Sequence, residues 1–256
     1  MATPAAAIQT IVFGHRNRTD VAGVLQDVKA SGFTAIECGN LFTSHGEAKV
    51  RKLLDETGVA VCGAHFGYGD YADEANLAAN LAYCKAMGIR NLMCSGVADT
   101  RTVEGYRTSC KLFNEVGRRC RDEGLVFHYH NHAWEFGALE GGSANGMQIL
   151  AAETDPALVK FNIDVFWVTI GGDDPASFIR KHADRAGYYH FKDGRRTQGG
   201  VEFLELGRGM VDLRGAMAAA REAGAEWIVA EQDQTTLPHL ESATISRAYL
   251  RDVLGV

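Results

Sequence analysis

The sequence predicts an α/β protein folded as a single-domain (β/α)8 TIM barrel over residues 1–256. Short apolar segments typical of β-strands alternate with amphipathic helical segments eight times along the chain. A length of 256 residues is the usual size of such a barrel. No linker or low-complexity segment interrupts the alternation, so one domain is predicted.

The first four strand–helix units have clear boundaries. Strands are predicted at residues 9–14, 33–39, 59–66 and 91–95. Helices are predicted where apolar residues recur at spacings of three and four, which gives residues 20–31, 47–57, 73–87 and 102–123. Glycines follow three of these helices and are predicted to end them: Gly58, Gly88 and Gly124.

The second half of the chain repeats this alternation. Strands are predicted to begin at residues 125, 159, 187 and 227. The helices that follow them are predicted at residues 146–153, 175–185, 213–223 and 245–254. Residues 194–209 lack periodicity and are predicted to form an ordered active-site loop. A doubly wound open sheet is the alternative, but it would need a glycine-rich phosphate loop after the first strand, and Phe13-Gly14-His15-Arg16 is not one.

Composition excludes several classes of function. The net charge is −6 and no block of like charge occurs, so neither nucleic acid nor an anionic membrane is an expected partner. The N-terminus lacks the features of a signal peptide, and no apolar segment reaches the roughly 20 residues of a membrane span. A cytoplasmic protein is therefore expected. The six cysteines form no CxxC pair and are predicted to be buried reduced thiols.

Polar side chains end three of the predicted strands in the second half. Asp164, His190 and Glu231 each follow an apolar segment directly. The C-terminal ends of barrel strands face the active site of a TIM barrel, so these side chains should converge. Burying carboxylates and an imidazole together is costly unless a cation offsets the cost. The sequence thus predicts one divalent metal ion, and manganese, magnesium, cobalt and zinc all suit these donors.

The fifth strand leaves the remaining metal ligand open. Its sequence and the residues after it offer His128, His130, His132 and Glu135. Glu135 is the preferred ligand, with His130 or His132 as the alternative. His128 lies lower on the strand and is expected to pack in the barrel wall. His130 and His132 are otherwise expected to contact substrate.

Other residues near the predicted strand ends are candidates for binding substrate. Glu37 and His65 end the second and third strands. Trp134 and Trp167 lie beside the predicted site, where aromatic faces can pack on a sugar ring. Lys192 and Asp193 lie two and three residues after His190. We expect Lys192 to lie near substrate oxygens or to act as a proton carrier. Asp193 is expected to lie close to substrate.

Seven short motifs, in chain order, resemble a known family. They are Ile36-Glu37, Gly63-Ala-His65, Tyr129-His-Asn-His132 with Trp134-Glu135-Phe136, Asn162-Ile-Asp164, His190-Phe-Lys-Asp193, Leu206-Gly-Arg-Gly209 and Glu231-Gln-Asp233. Over essentially the whole chain they are similar to the xylose isomerase-like TIM barrels. That superfamily includes sugar phosphate isomerases/epimerases, inosose dehydratases, D-tagatose 3-epimerase relatives and endonuclease IV. The resemblance implies a metal site of Glu, Asp, His and Glu, which Asp164, His190 and Glu231 match.

The sequence departs from this pattern at two positions. The epimerases carry a glutamate within the fifth strand, where this chain has Phe127-His128-Tyr129-His130, and the branch with a Tyr-His-Asn-His run shifts the acidic residue to a place like Glu135. They also place a histidine where this chain has Trp167. Both departures disfavour simple epimerisation by two glutamates. The multi-histidine, multi-metal pattern of endonuclease IV is not reproduced.

Together these features predict a metal-dependent sugar or keto-sugar isomerase or epimerase. Glu231, or Glu135 if it is not a ligand, would remove a proton next to a carbonyl, and the metal would stabilise the enediolate. A lyase or dehydratase acting on an inosose or keto-glycoside is the first alternative. A non-catalytic carbohydrate-binding barrel is the second. The expected partner is a small sugar or cyclitol, and a homo-oligomer is compatible with the sequence.

Overall fold

Eight parallel strands close into a barrel in the computed structural model, which describes residues 3–256. Around the barrel they follow the order β1-β10-β7-β6-β5-β4-β3-β2. Their bounds are β1 Ala5–Gln9, β2 Ala35–Cys38, β3 Ala60–Gly67, β4 Asn91–Ser95, β5 Val126–His130, β6 Val159–Asp164, β7 Ala186–Phe191 and β10 Trp227–Ala230. Pairing of β1 with β10 closes the ring, so the predicted TIM barrel is confirmed.

Helices surround the barrel and connect its strands. They are α1 Arg16–Thr19, α2 Val21–Ala30, α3 Leu41–His45, α4 Glu47–Thr57, α5 Tyr68–Ala72, α6 Glu74–Met87, α7 Val103–Asp122, α8 Gly146–Glu153, α9 Val165–Gly171, α10 Pro175–Lys181, α11 Leu213–Glu222 and α12 His239–Asp252. Several begin at a side-chain cap, such as Asp73 accepting from Asn76 N and Thr102 accepting from Gly105 N. Within residues 3–256, no helix has the length and apolar character needed to cross a membrane.

Two apolar layers hold the barrel together. The larger lies between the strands and the helices. The smaller fills the inside of the barrel and consists of Ala7, Ala35, Cys62, Met93, Tyr188 and Val229. His128 also packs inside, as expected, with Nε2 3.1 Å from Asn91 Oδ1. All six cysteines are buried and free, as predicted. An apolar inner layer with a buried His128–Asn91 pair therefore lies below the polar site at the C-terminal ends of the strands.

Three predicted elements are wrong. The first strand is Ala5–Gln9, and residues 10–13 form a 3-10 helix that begins where Gln9 Oε1 accepts a hydrogen bond from Ile11 N. The alanine-rich sequence of β1 has no strand pattern. Residues 10–13, which follow it, are more apolar and resemble a strand, but they pack outside the barrel. Residues 194–209 are not a simple loop, because β8 Asp193–Thr197 and β9 Gly200–Leu204 form an antiparallel hairpin. The last helix begins at His239, six residues before its predicted start.

Candidate metal centre at the barrel mouth

Four buried side chains converge at the C-terminal end of the barrel. His130, Asp164, His190 and Glu231 each offer one donor atom, and these atoms all lie within 4.8 Å of one another. Strand register explains the convergence: His130 pairs with Asn162 on β6, and Asp164 pairs with His190 on β7. Glu231 follows β10, whose last residue pairs with the residue after His190. Neighbouring strands thus end at the same level with their polar side chains together.

Unpartnered atoms in this cluster fit a metal ion. His130 Nδ1 and Asp164 Oδ2 are buried, and neither has a hydrogen-bond partner among the described residues. Asp164 uses its other oxygen to accept a 2.9 Å hydrogen bond from Trp167 N at the start of α9. Buried polar atoms nearly always have a partner, so two neighbouring ligand atoms without one are compatible with a bound cation. Imidazole and carboxylate donors suit zinc, manganese and cobalt.

The two carboxylates of the cluster have pKa values shifted in opposite directions. Burial raises the pKa of Asp164 well above its usual value, although the charge of Lys192 acts in the opposite direction. Burial also opposes ionisation of Glu231, but the charges of Lys192 and His190 outweigh it and lower its pKa. Two neighbouring buried carboxylates therefore compete for the same positive charge. A divalent ion would satisfy both.

A second group shares His190 with the first. Glu37 lies between two histidines: Oε2 is 2.8 Å from His190 Nε2, and Oε1 is 2.8 Å from His65 Nδ1. The other ring nitrogen of His190, Nδ1, lies 3.0 Å from Glu231 Oε2. Burial alone would raise the pKa of Glu37, but the charge of His190 and hydrogen bonds from both imidazoles lower it to about 2. These contacts link four side chains across the barrel mouth.

Glu135, the preferred fourth ligand in the sequence, lies outside the cluster. It is fully buried, and its two oxygens accept hydrogen bonds from Tyr129 Oη at 2.6 Å and His132 N at 2.9 Å. The chain turns away from the barrel after β5 into a 3-10 helix, Trp134–Phe136, which carries Glu135 behind the strand. The structure therefore brings His130, and not Glu135, together with the other three predicted ligands.

Burial of the Glu135 carboxyl group predicts a pH-dependent stability. Desolvation raises its pKa to about 7 in spite of the hydrogen bond from Tyr129. A group with a raised native pKa contributes stability below its unfolded pKa, and that stability is lost as the pH rises through about 7. The shift from 4.5 corresponds to about 3 kcal/mol. Urea unfolding from pH 4.5 to 8 should show this loss in wild type and not in Glu135→Gln. Parallel pH profiles for the two proteins would contradict it.

The buried ammonium group of Lys192 lies beside the cluster and packs against two aromatic rings. Lys192 Nζ is 3.3 Å from Glu231 Oε2, forms an ion pair with Asp233, and lies 5.0 Å and 4.8 Å from the ring centroids of Trp167 and Phe203. Two carboxylates and two aromatic faces thus hold the buried ammonium group in its charged form. Burial would lower the pKa of Lys192, but the negative charges of Glu231, Asp164 and Asp233 raise this pKa above its usual value.

Two further rings, those of His132 and Trp134, lie on the same side of the barrel mouth as Trp167. Their rings stack at 4.0 Å between centroids with an interplanar angle of 10°, and Trp134 is 42% exposed. His132 also lies 5.5 Å from the ring of Trp167. The predicted aromatic candidates therefore meet on one side of the barrel mouth, where a ring-shaped substrate could pack against them.

Asp193 has a different environment from the one expected. It is 1% exposed, and its carboxylate accepts hydrogen bonds from four backbone N–H groups, at 2.9 Å from Gly194, 3.0 Å from Gly207, 2.9 Å from Gly209 and 3.2 Å from Val211. A Cβ at position 209 would lie 2.0 Å from Asp193 Oδ1, which explains a glycine in that motif. The structure thus places Asp193 as an anchor for the loop after β9.

Asp193→Asn should destabilise this loop. An amide has one acceptor oxygen, so about half of these N–H groups would face an NH2 group. Each buried donor left without a partner costs about 1–3 kcal/mol, and we expect a loss of about 2–4 kcal/mol in the free energy of unfolding by urea. The matched control is Asp212→Asn, because Asp212 accepts from one N–H, that of Gly215, and asparagine caps helices equally well. Equal stability of the two variants would contradict the anchoring role.

Sequence reasoning overlooked two side chains at the site. Asn162 is fully buried on β6, and neither atom of its amide has a partner within residues 3–256. It shares a strand face with Asp164, so it lies directly below the cluster. Phe203 reaches the site from the hairpin that the sequence did not reveal. Two signals for Asn162 were available: it is a polar residue inside an apolar strand, and it belongs to the motif Asn162-Ile-Asp164, in which it was given no role of its own.

Comparison with known proteins identifies the family. The family model described as xylose isomerase-like TIM barrel matches residues 25–253. The chain belongs to the xylose isomerase-like TIM barrel family. Within it, the inosose dehydratase of Lacticaseibacillus casei is 28% identical over 161 aligned positions, and that match spans about half of each protein, 55% of this chain and 52% of the relative. The inosose dehydratase of Bacillus licheniformis is 27% identical over 91% of this chain and 88% of that enzyme.

Solved structures of other proteins share this fold. A sugar phosphate isomerase/epimerase from Parabacteroides distasonis superposes with a TM-score of 0.79 at 19% identity, covering 99% of this chain and 95% of that one. A xylose isomerase-like TIM barrel protein from Mycobacterium smegmatis, solved in complex with magnesium, superposes with a TM-score of 0.70 at 17% identity, covering 98% and 96%. At these identities the similarity establishes the fold.

Proposed function

We propose that this protein is a metal-dependent lyase that removes a proton next to the carbonyl of a polyhydroxylated ketone, such as an inosose or a keto-sugar, and expels the β-substituent. One observation carries this proposal. The mouth of the barrel holds a four-donor cluster in which one carboxylate, Glu231, lies beside a buried cation, Lys192. The inosose dehydratases among the relatives support the same chemistry.

Each residue has a defined task in this reaction. His130, Asp164, His190 and Glu231 would hold a divalent ion, which supplies Lewis-acid stabilisation of the negative charge that develops on the substrate carbonyl oxygen. Glu231 Oε1 has no protein partner in the described part of the chain, so this oxygen is free to take the proton. General base catalysis of this kind contributes about 10²–10⁴-fold.

Lys192 would donate a proton to the leaving group. Its ammonium group is buried and charged, and it lies within 3.3 Å of the base. Trp134 and His132 would pack on one face of the substrate ring, and Trp167 would separate Lys192 from water. A syn elimination uses a base and an acid on the same side of the substrate, and the neighbouring Glu231 and Lys192 would supply them.

Epimerisation is less well supported because a second free carboxylate is absent at the described site. Glu135 is held by Tyr129 and by the backbone of His132, and Glu37 lies between two imidazoles. Isomerisation is the second candidate, since Glu231 alone could return the proton to the adjacent carbon. The isomerase/epimerase activity preferred from the sequence therefore stays a prediction behind the lyase.

A single NMR experiment separates these activities. The zinc- or manganese-loaded protein is incubated in D2O with an inosose and, separately, with a ketopentose. Loss of the β-hydroxyl as water, with solvent deuterium at the carbon that carried it once the enol product tautomerises to a ketone, supports the lyase. Deuterium uptake with the hydroxyl retained supports the isomerase or epimerase and contradicts elimination. No exchange in either substrate, with binding intact, indicates a carbohydrate-binding barrel and contradicts both enzymatic proposals.

A further inference from the structure

We infer that Glu37 is a positioning residue that orients His190 for metal binding through a hydrogen bond to its second ring nitrogen. This inference rests on the proposed metal centre and adds a residue that touches neither metal nor substrate. Glu37 and His65 also form, with His190, a group with metal-ligand spacing. A second metal ion at that group is therefore the competing interpretation.

The two ring nitrogens of His190 face different groups. Nδ1 lies 3.0 Å from Glu231 Oε2, on the side of the four-donor cluster. Nε2 lies 2.8 Å from Glu37 Oε2. An imidazole that binds a metal through one nitrogen normally carries a proton on the other and donates it to a carboxylate, which fixes the tautomer and the ring orientation. With Nδ1 as the ligand atom, Nε2–H donates to Glu37.

A second ion would require an unusual state of His190. Glu37 lies beside Nε2 of His190 and Glu231 lies beside Nδ1 of the same ring, so one ion in each group would use both ring nitrogens. Binding both ions would remove both protons from one imidazole. The hydrogen-bonded arrangement keeps the ring neutral and needs one ion only.

His65 completes the support for Glu37. Glu37 has no exposed surface, and its remaining oxygen, Oε1, is 2.8 Å from His65 Nδ1, which can donate a second hydrogen bond. The carboxylate is therefore fixed from both sides, on the strand β2. Its rigidity transfers to His190 across the barrel, which is the geometry expected of a carboxylate–histidine–metal arrangement.

Zinc binding to Glu37 variants tests the inference. Glu37→Gln keeps the size and an acceptor for His190 Nε2–H, whereas Glu37→Ala removes both. Zinc stoichiometry is measured by equilibrium dialysis and affinity by competition with a chromophoric chelator. Loss of such a partner typically weakens metal affinity about 10–100-fold, so we expect one zinc per chain in all three proteins, with affinity weakened by that factor in Glu37→Ala and less in Glu37→Gln. The absorption bands of bound cobalt should shift in Glu37→Ala, because the ring of His190 turns.

Glu205→Gln is the matched control. Glu205 is a buried carboxylate that accepts hydrogen bonds from Gln232 and Thr235, and it is not a member of either donor group. It should bind zinc as wild type does. Two zinc ions per wild-type chain and one in Glu37→Ala would overturn the inference in favour of a second metal. Wild-type affinity and cobalt spectrum in Glu37→Ala would also overturn it. Wild type without zinc would refute the metal centre itself, and the inference with it.

Discussion

Asp164→Asn should remove the metal ion and lower turnover by about 10³-fold or more, because Lewis-acid stabilisation of the developing charge is worth several kcal/mol. The amide retains an oxygen that can accept from Trp167 N, so the start of α9 is preserved. It replaces Oδ2, the orphaned donor atom, with an NH2 group that cannot bind a cation. Elemental analysis of the purified variant and its rate of solvent deuterium exchange into substrate measure both effects.

A chemically identical substitution elsewhere provides the control. Asp174 caps α10 by accepting from Ser177 N, in the same way that Asp164 caps α9, and it lies in neither donor group. Asp174→Asn should retain full metal content and activity. Full metal occupancy in Asp164→Asn would show that Asp164 is not a ligand.

Lys192→Met should lower kcat by about 10²–10³-fold while leaving metal content unchanged, since it removes the proposed acid and its charge and no metal ligand. Methionine has a similar length and can occupy the space between Trp167 and Phe203. Steady-state kinetics measures kcat, and elemental analysis of the same preparation measures its metal content.

Lys160→Met is the control for this variant. Lys160 lies on β6 four residues before Asp164, towards the opposite end of the barrel, with Nζ 3.5 Å from Asp184 O. It should have wild-type kcat. Unchanged turnover in Lys192→Met would exclude Lys192 from the chemistry. Loss of the metal ion in that variant would show that Lys192 instead stabilises the structure of the metal centre.

Alternation of strand and helix patterns was sufficient to predict the fold. The bounds of α4, β4 and α8 agree with the sequence prediction. Gly58 ends α4 and the side chain of Asn145 caps the start of α8, so these helix ends are defined locally. The first strand could not be placed in the same way. Its residue in the inner apolar layer is Ala7, and Tyr188, the largest side chain of that layer, lies far away in the sequence.

The candidate site was predicted in part. Strand ends locate Asp164, His190 and Glu231, because a polar residue that follows an apolar strand can be recognised without knowledge of the fold. The choice between His130 and Glu135 depends on the direction of the chain after β5, which is set by the hydrogen bonds of Glu135 to Tyr129 and to the backbone. Those contacts depend on the path of the chain over residues 130–136, which the alternation of strand and helix patterns does not specify.

Anomalous diffraction from a zinc-loaded crystal tests the central claim most directly. We predict one zinc peak per chain, about 2.0–2.2 Å from donor atoms of His130, Asp164, His190 and Glu231. A zinc peak bound by Glu135, a peak at Glu37 and His65, or no peak at the barrel mouth would contradict the proposed centre.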